Sequence, residues 1–442
     1  MTRPRASGER YGDFELIRYL TAGGMADLWL AKSARYSGDL VIKKIQPRYV
    51  EMTRVVKMFI DEGRIAQALT HPNVVRVIDV GHHEGTYFIA MEYIPGRDLL
   101  AICRRGVEVG NFLPRHLAVA ILAQATRGLV YAHEKTDENG EPLRVVHCDI
   151  SPGNIVVGWG GTVKLVDFGI ARATIMLRAE DHSVAGKYNY MAPEQIRGDA
   201  IDARADIFAM GIILYELTVG KRLFRGRPEQ VMRLVLEDPI ALPTTLRPDY
   251  PPALETIVMR ALARDPAERQ QSARQLRAEL LGWLQETGEA HDKRSIAEYL
   301  RAVFGRGAKK QRDADEFSDG SDDDELILEA ALPAGDEPLQ VDAEDGPDEP
   351  AAAPPPPSLL QVQSIHEAIT APIDTEATTG PLRRLPLAEV RPDDPLPLEE
   401  PPTVRMRADD TKKRIVLAAD GAPAAQRRQP WWRRLFAFFR RS

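Results

Sequence analysis

The chain has 442 residues, 44% of them hydrophobic and 28% charged, with a formal net charge of −7. Two cysteines, Cys103 and Cys148, exclude a disulfide framework and fit no usual zinc spacing, and no run approaches the ~18 apolar residues of a membrane span. The opening residues, MTRPRASGERYGDFELI, contain no apolar h-region, so secretion is not expected and a reducing, cytoplasmic setting is.

In chain order, residues 14–20 and 28–31 read as two short strands joined by the small-residue turn TAGGMAD, and LVIKKI (40–45) reads as a third. A helix fits 50–69, where Val55, Met58, Phe59, Ile65 and Leu69 recur at helical spacing. VVRVIDVG and TYFIAMEYI add two strands, so five strands enclose one helix. Taken singly these features are bland. A Gly-Gly turn is ordinarily just a hairpin, a strand lysine faces solvent, and Glu62 alone is a surface charge. Order and distance change the reading, because a glycine turn, a strand lysine (Lys43) and a helix carboxylate nineteen residues later form an arrangement that grips nucleotide phosphates.

Further along, VVHCDISPGNIVV (145–157) is followed by LVDFGIA, which spaces His147, Asp149, Asn154 and Asp167 as phosphoryl transfer requires. With these motifs in this order, the chain resembles a bacterial, eukaryotic-like serine/threonine protein kinase from about Tyr11 to Leu284. The resemblance implies an α+β, two-lobed fold. A five-stranded antiparallel N-lobe with one helix would span 11–93 and a mostly helical C-lobe 94–285, with a helical extension over 286–305. It implies MgATP as the nucleotide and proteins as substrates. Lys43 would hold the α and β phosphates and Glu62 would fix it through an ion pair. Leu20, Leu28, Val41, Met91 and Val156 would line the adenine slot, with Glu92 and Tyr93 at the hinge; ordinary core packing accounts for the same apolar residues. Asp149 would accept the hydroxyl proton, and Asn154 and Asp167 are hard oxygen donors suited to Mg²⁺. The bland reading of an isolated Asp or Asn in a turn is a cap or Asx-turn.

Four positions depart from the family pattern. The phosphate lid reads Thr21-Ala22-Gly23-Gly24-Met25-Ala26, so only the middle glycine, Gly23, is kept, with Gly24 beside it; side chains at the other two positions restrict positive φ, and slower ATP handling is expected. Cys148 stands where many members carry an arginine that pairs with a phosphorylated activation segment, so phosphorylation there is not expected to be the main switch. Ser151 replaces a lysine that approaches the γ-phosphate, and Lys187, in VAGKYNYMAPEQ, is expected to restore that cation. A solvent-exposed lysine is the alternative for Lys187.

The scaffold elements follow. Glu194 of the Ala192-Pro193-Glu194 run is expected to pair with Arg269, and Asp206 to support the catalytic loop from a helix that also contains Gly211. Helices are expected over 114–134, 203–219 and 252–284, with SIAEYLRAVFG as the last. Thr174 and Ser183 are candidate autophosphorylation sites.

Beyond the folded part, 313–350 carries sixteen Asp and Glu without a Lys or Arg, and AAAPPPPS follows. Residues 306–425 are therefore expected to be a disordered acidic linker. The negative charge lies largely there, and the folded part shows no basic nucleic-acid footprint, so no nucleic-acid partner is expected. Within 426–442, PWWRRLFAFFRRS winds into an amphipathic helix at ~100° per residue, with Trp431, Trp432, Leu435, Phe436, Phe438 and Phe439 on one arc and Arg433, Arg434, Arg440 and Arg441 opposite. That pattern suits the inner, anionic face of a membrane; a docking helix for a partner, or an autoinhibitory peptide, would use the same arcs. The leading function is an active protein-serine/threonine kinase. A pseudokinase or scaffold that binds partners without phosphotransfer is the alternative, and a small-molecule kinase the third. Homodimerisation and the identity of the substrate stay open.

Overall fold

The computed structural model describes residues 8–168 and 188–305, together with the backbone of 185–187 and 383–384. Strands β1 (Glu9–Tyr11), β2 (Phe14–Ala22), β3 (Ala26–Ser33), β4 (Leu40–Ile45), β5 (Val77–His83) and β6 (Thr86–Glu92) form an antiparallel sheet in the order β1-β2-β3-β4-β6-β5. The five expected strands are all present. β1 is additional: it pairs in a tight hairpin with β2, Tyr11 opposite Phe14, and the Tyr11 ring is fully buried. Three residues are too few to announce a period of two.

The expected helix over 50–69 is two pieces, α1 (Pro47–Val50) and α2 (Thr53–Ala68), because Met52 adopts a non-helical conformation between them. On α2 the buried side is Val55, Val56, Phe59, Glu62, Gly63 and Ala66, a helical recurrence that seats the helix on the sheet. Gly63 makes the approach close: a Cβ there would stand 2.8 Å from a Val80 methyl. The face that packs also carries Glu62 toward β4.

A small sheet, β7 (Gly96–Asp98), β8 (Ile155–Gly158) and β9 (Val163–Leu165), opens the second lobe. Its helices are α3 (Leu99–Glu108), α4 (Arg115–His133), α5 (Pro193–Arg197), α6 (Arg204–Val219), α7 (Pro228–Leu236), α8 (Pro243–Leu246), α9 (Pro252–Ala261), α10 (Ala273–Thr287) and α11 (Lys293–Phe304). The long central helices α4 and α6 are buried on nearly all sides. The helix expected over 252–284 is broken into α9 and α10. Pro266 brings no N–H to continue the helix, the Asp265 carboxylate accepts from Ala267 N (2.8 Å), and the intervening loop delivers Arg269 into the core.

The expected last helix is α11, capped by Asp292 accepting from Ser295 N at 2.8 Å. It is braced by Tyr299, whose hydroxyl donates to the Asn111 carbonyl (2.9 Å), and Phe304 packs edge-on against Trp159. At Gly161 (φ +76°) a Cβ would fall 1.9 Å from the Lys293 carbonyl, so only glycine lets the β8–β9 turn meet the start of α11. Among the described residues no helix is long and apolar enough to cross a membrane. The expected linker and the aromatic-basic segment lie outside the described residues, except β10 (Arg383–Arg384), whose backbone pairs antiparallel with Gly81 and His82 of β5.

Candidate active site

Strand β4 aligns Lys43 with Leu28 on one side and Ile89 on the other, so its side chain emerges beneath the β2–β3 hairpin. The Lys43 ammonium donates to Glu62 Oε1 at 2.7 Å and to Asp167 Oδ1 at 2.9 Å. Glu62 comes from α2 and Asp167 from the segment after β9, so three separate parts of the chain converge on one nitrogen. Burial alone would lower the Lys43 pKa, but the Asp167 and Glu62 carboxylates outweigh it and hold the amine charged, above its ordinary value. Burial pushes the Glu62 carboxyl upward, opposed by Lys43.

The catalytic loop is fixed from below. Asp206 on α6 accepts from His147 N (2.8 Å) through Oδ2 and from Cys148 N (2.7 Å) through Oδ1, and His133 Nε2 meets the same carboxylate at 2.8 Å. Burial opposes the Asp206 charge, yet the His133 hydrogen bond and the other donors win and hold its pKa below the usual range. Cys148 sits at φ +61° and Asp167 at φ +54°. For residues with a Cβ this left-handed conformation costs of order 1–3 kcal/mol, sustained by such contacts. Gln195 adds one more, donating to the Cys148 carbonyl at 3.0 Å. His147 is buried, which lowers its pKa, and its Nδ1 accepts from Asp149 N (3.3 Å). Its Nε2 therefore donates to the Val166 carbonyl (3.0 Å), and its ring leans on Phe168, centroids 4.5 Å apart. One imidazole thus ties the loop of Asp149 to the segment of Asp167. Asn154 donates to the Asp149 carbonyl (2.7 Å) and to Asp149 Oδ2 (3.2 Å), while its own carbonyl accepts from Val166 N (3.0 Å).

Four of the five expected slot residues share one apolar cluster: Leu20, Val41 and Met91 are buried in it and Leu28 packs against it. Val156 is buried in β8 but outside that cluster. Ile94 and Val166, absent from the sequence reading, join it, as does the expected Tyr93. In the lid turn none of Thr21, Gly23, Gly24 and Ala26 has positive φ. The turn is tethered: Gln46 Nε2 donates to the Gly23 carbonyl (3.1 Å) and Arg48 Nη2 to that of Gly24 (3.2 Å). At the hinge, the Glu92 carboxylate accepts from Arg76 N (2.8 Å) and from Lys164 Nζ (2.6 Å). Gln46, Arg48, His133 and Lys164 escaped the sequence reading because none belongs to a motif and no local pattern marks their partners. Lys187 falls on a short 3₁₀ helix (Ala185–Tyr190), but its side chain lies outside the described residues, as do Thr174 and Ser183.

Tyrosine-protein kinase MasK of Myxococcus xanthus is 40% identical over 300 residues, 67% of this chain and 46% of MasK. Serine/threonine-protein kinase PknD of Mycobacterium tuberculosis is 36% identical over 271 residues (60% and 39%), and PrkC of Bacillus subtilis 31% over 273 (61% and 40%). The chain spans less than half the length of these relatives. The crystal structure of the Mycobacterium tuberculosis PknI kinase domain superposes with a TM-score of 0.50 at 25% identity, covering 63% of this chain and 99% of that one. Residues 14–281 match the protein kinase domain family, and the chain belongs to that family.

Proposed function

We propose that this chain is an active protein kinase that transfers the γ-phosphoryl group of MgATP to serine and threonine hydroxyls of proteins. The observation that carries the reading is the buried Lys43–Glu62–Asp167 constellation beside the Asp149 loop. Lys43 neutralises the α and β phosphates, and Glu62 keeps its ammonium in place. Asp149 takes the proton as the acceptor oxygen bonds to the γ-phosphorus and the bond from that phosphorus to the ADP oxygen breaks. Asp167 and Asn154 would hold Mg²⁺. Both are hard oxygen donors, and the cation characteristically takes one or two protein ligands and completes its shell with phosphate and water. When bound it supplies charge neutralisation on the phosphate oxygens. The intact constellation favours activity over a pseudokinase.

PrkC and PknD support a serine or threonine acceptor; MasK, named a tyrosine kinase, supports a second reading, a tyrosine acceptor. Phosphoamino-acid analysis after incubation with MgATP and a mixed protein substrate separates them. Phosphoserine and phosphothreonine are expected, and phosphotyrosine alone would overturn the first reading.

In this mechanism Lys187 supplies the cation that Ser151 lacks. Lys187→Ala is expected to lower kcat by about 10²-fold, the scale of removing one preorganised donor at a reacting group. An unchanged rate, beside a Lys43→Ala variant that is inactive, would leave Lys187 without that role. The reading includes attachment of 430–442 to an anionic membrane surface. The full chain should sediment with anionic liposomes and a chain ending at Gln429 should not; equal pelleting refutes the attachment.

A further inference from the structure

Beside the hinge, lined in part by Glu92 and Tyr93, lies a pocket of ≈ 300 Å³. Tyr93, Ile94, Pro95, Trp159, Thr162 and Lys164 are among its walls. Trp159 is also the residue against which Phe304 packs, at 5.4 Å between centroids, with the Arg97 guanidinium near both rings. The described domain therefore ends, at Gly305, beside this pocket.

The surface next to it is basic. Gln124 on α4 holds the β8–β9 turn, donating to the Gly161 carbonyl at 3.3 Å. One helical turn further on is Arg127, exposed, and opposite it on α10 are Arg274 and Arg277. Arg274 is paired with Glu134 at 2.5 Å. Arg277 has no carboxylate within ion-pair distance among the described residues, and its Nε is buried without an acceptor. Burial, and then Arg127 and Arg274, hold the Arg277 pKa below its ordinary value. His71 is likewise lowered by burial and then by Arg127 and Lys164, so one residue of the arginine patch and one of the pocket wall both lie within electrostatic reach of the same imidazole.

We propose that the acidic stretch 313–329 of this same chain folds back onto that face, seating Phe317 in the pocket beside the hinge and its carboxylates over Arg127 and Arg277. The stretch, DADEFSDGSDDDELILE, holds nine acidic residues and no basic one. Phe317 is its single aromatic residue. It follows Gly305 by twelve residues, enough chain to reach up to ~40 Å when extended. The intervening 306–312, with Arg306, Lys309, Lys310 and Arg312, is repelled by the same face and serves as the span. The other aromatic segment, 430–442, is arginine-rich and is excluded by like charge. Tethering at such short range gives an effective concentration in the millimolar range, so a pocket of modest affinity is filled. Glu92 and Tyr93 belong to both the pocket and the hinge, so occupancy would reach bound nucleotide; that consequence rests on the kinase reading, whereas the docking does not.

The test is hydrogen exchange of the full chain, without nucleotide, read by mass spectrometry on peptides covering 158–164 and 124–131. It compares wild type with a tail variant (Phe317→Ser, Asp322→Asn, Asp323→Asn, Asp324→Asn, Glu325→Gln) and with Arg127→Ser/Arg277→Gln. Exchange in both peptides is expected to rise at least about threefold in either variant, and in wild type at about 1 M salt, where charges are screened beyond ~3 Å. The wild-type protection should not depend on protein concentration. Equal exchange in wild type and tail variant overturns the proposal. Protection that grows with concentration, or that appears only when anionic vesicles are added, overturns it too, by assigning the face to a second copy or to lipid. Phosphotransfer measured on the same samples shows whether the kinase reading stands independently.

Discussion

Asp149→Asn is expected to lower kcat by about 10²- to 10⁴-fold, the contribution of a positioned general base, while leaving the affinity for MgATP within about twofold. The substitution keeps shape and volume and removes the ability to take a proton. What holds the loop does not depend on the lost charge. Its backbone is gripped at His147 and Cys148 by Asp206 and at the Cys148 carbonyl by Gln195. Asp149 N–H itself rests on His147 Nδ1. The nucleotide grip is a separate set, Lys43 with Glu62 and Asp167. Loss of kcat with unchanged nucleotide binding therefore distinguishes a base from a structural residue. Steady-state phosphorylation of a protein substrate gives kcat, and titration with a fluorescent nucleotide gives affinity. More than a tenth of wild-type kcat in the variant would remove Asp149 from the chemistry. A parallel loss of nucleotide binding would instead make it a structural support.

What could be read in advance depended on how far apart the partners lie. Positions whose relation is set by a few residues of backbone, His147 to Asn154 or Asp167 with Phe168, were legible because local spacing fixes the loop. The strands showed as short apolar runs set off by turns, and the Lys43–Glu62 pair through a strand followed at a set distance by a helix. Contacts made by packing were legible only where the family resemblance carried them, as for Glu194 with Arg269 and Asp206 with the loop. His133 reaches Asp206 across 73 positions and Lys164 reaches Glu92 across 72, and no local pattern encodes either pairing. The broken helix at 262–272 is different: Pro266, with Asp265 capping before it, is a local stop signal that the continued helix reading passed over. At the lid the sequence showed the two missing glycines but not the tether: the turn adopts no positive φ, and Gln46 and Arg48 hold its carbonyls.

Removing Arg269 is expected to destabilise the domain by about 3–5 kcal/mol, because it leaves the Glu194 charge buried without its partner. The Arg269 side chain has no exposed surface and Glu194 is only 5% exposed. Arg269 Nη1 and Nη2 donate to Glu194 Oε1 and Oε2 at 2.7 and 2.8 Å. Nη1 also serves the Arg204 carbonyl (2.8 Å), Nη2 that of Arg264 (3.2 Å), and Nε that of Ala263 (2.7 Å). Every guanidinium donor is therefore used, and the plane lies 4.8 Å from the Phe208 ring centroid. Arg269→Lys should recover little, since one ammonium cannot reproduce a planar five-donor fork. The consequence extends to catalysis. Glu194 belongs to α5, and its neighbour Gln195 holds the Cys148 carbonyl, so slack at the ion pair is transmitted to the loop of Asp149. Urea unfolding of wild type, Arg269→Ala, Arg269→Lys and the double variant Glu194→Gln/Arg269→Met measures the cost. The double variant should lie above Arg269→Ala, because the unpaired charge is gone. If Arg269→Lys unfolds within about 1 kcal/mol of wild type, the bidentate geometry is not what stabilises this junction.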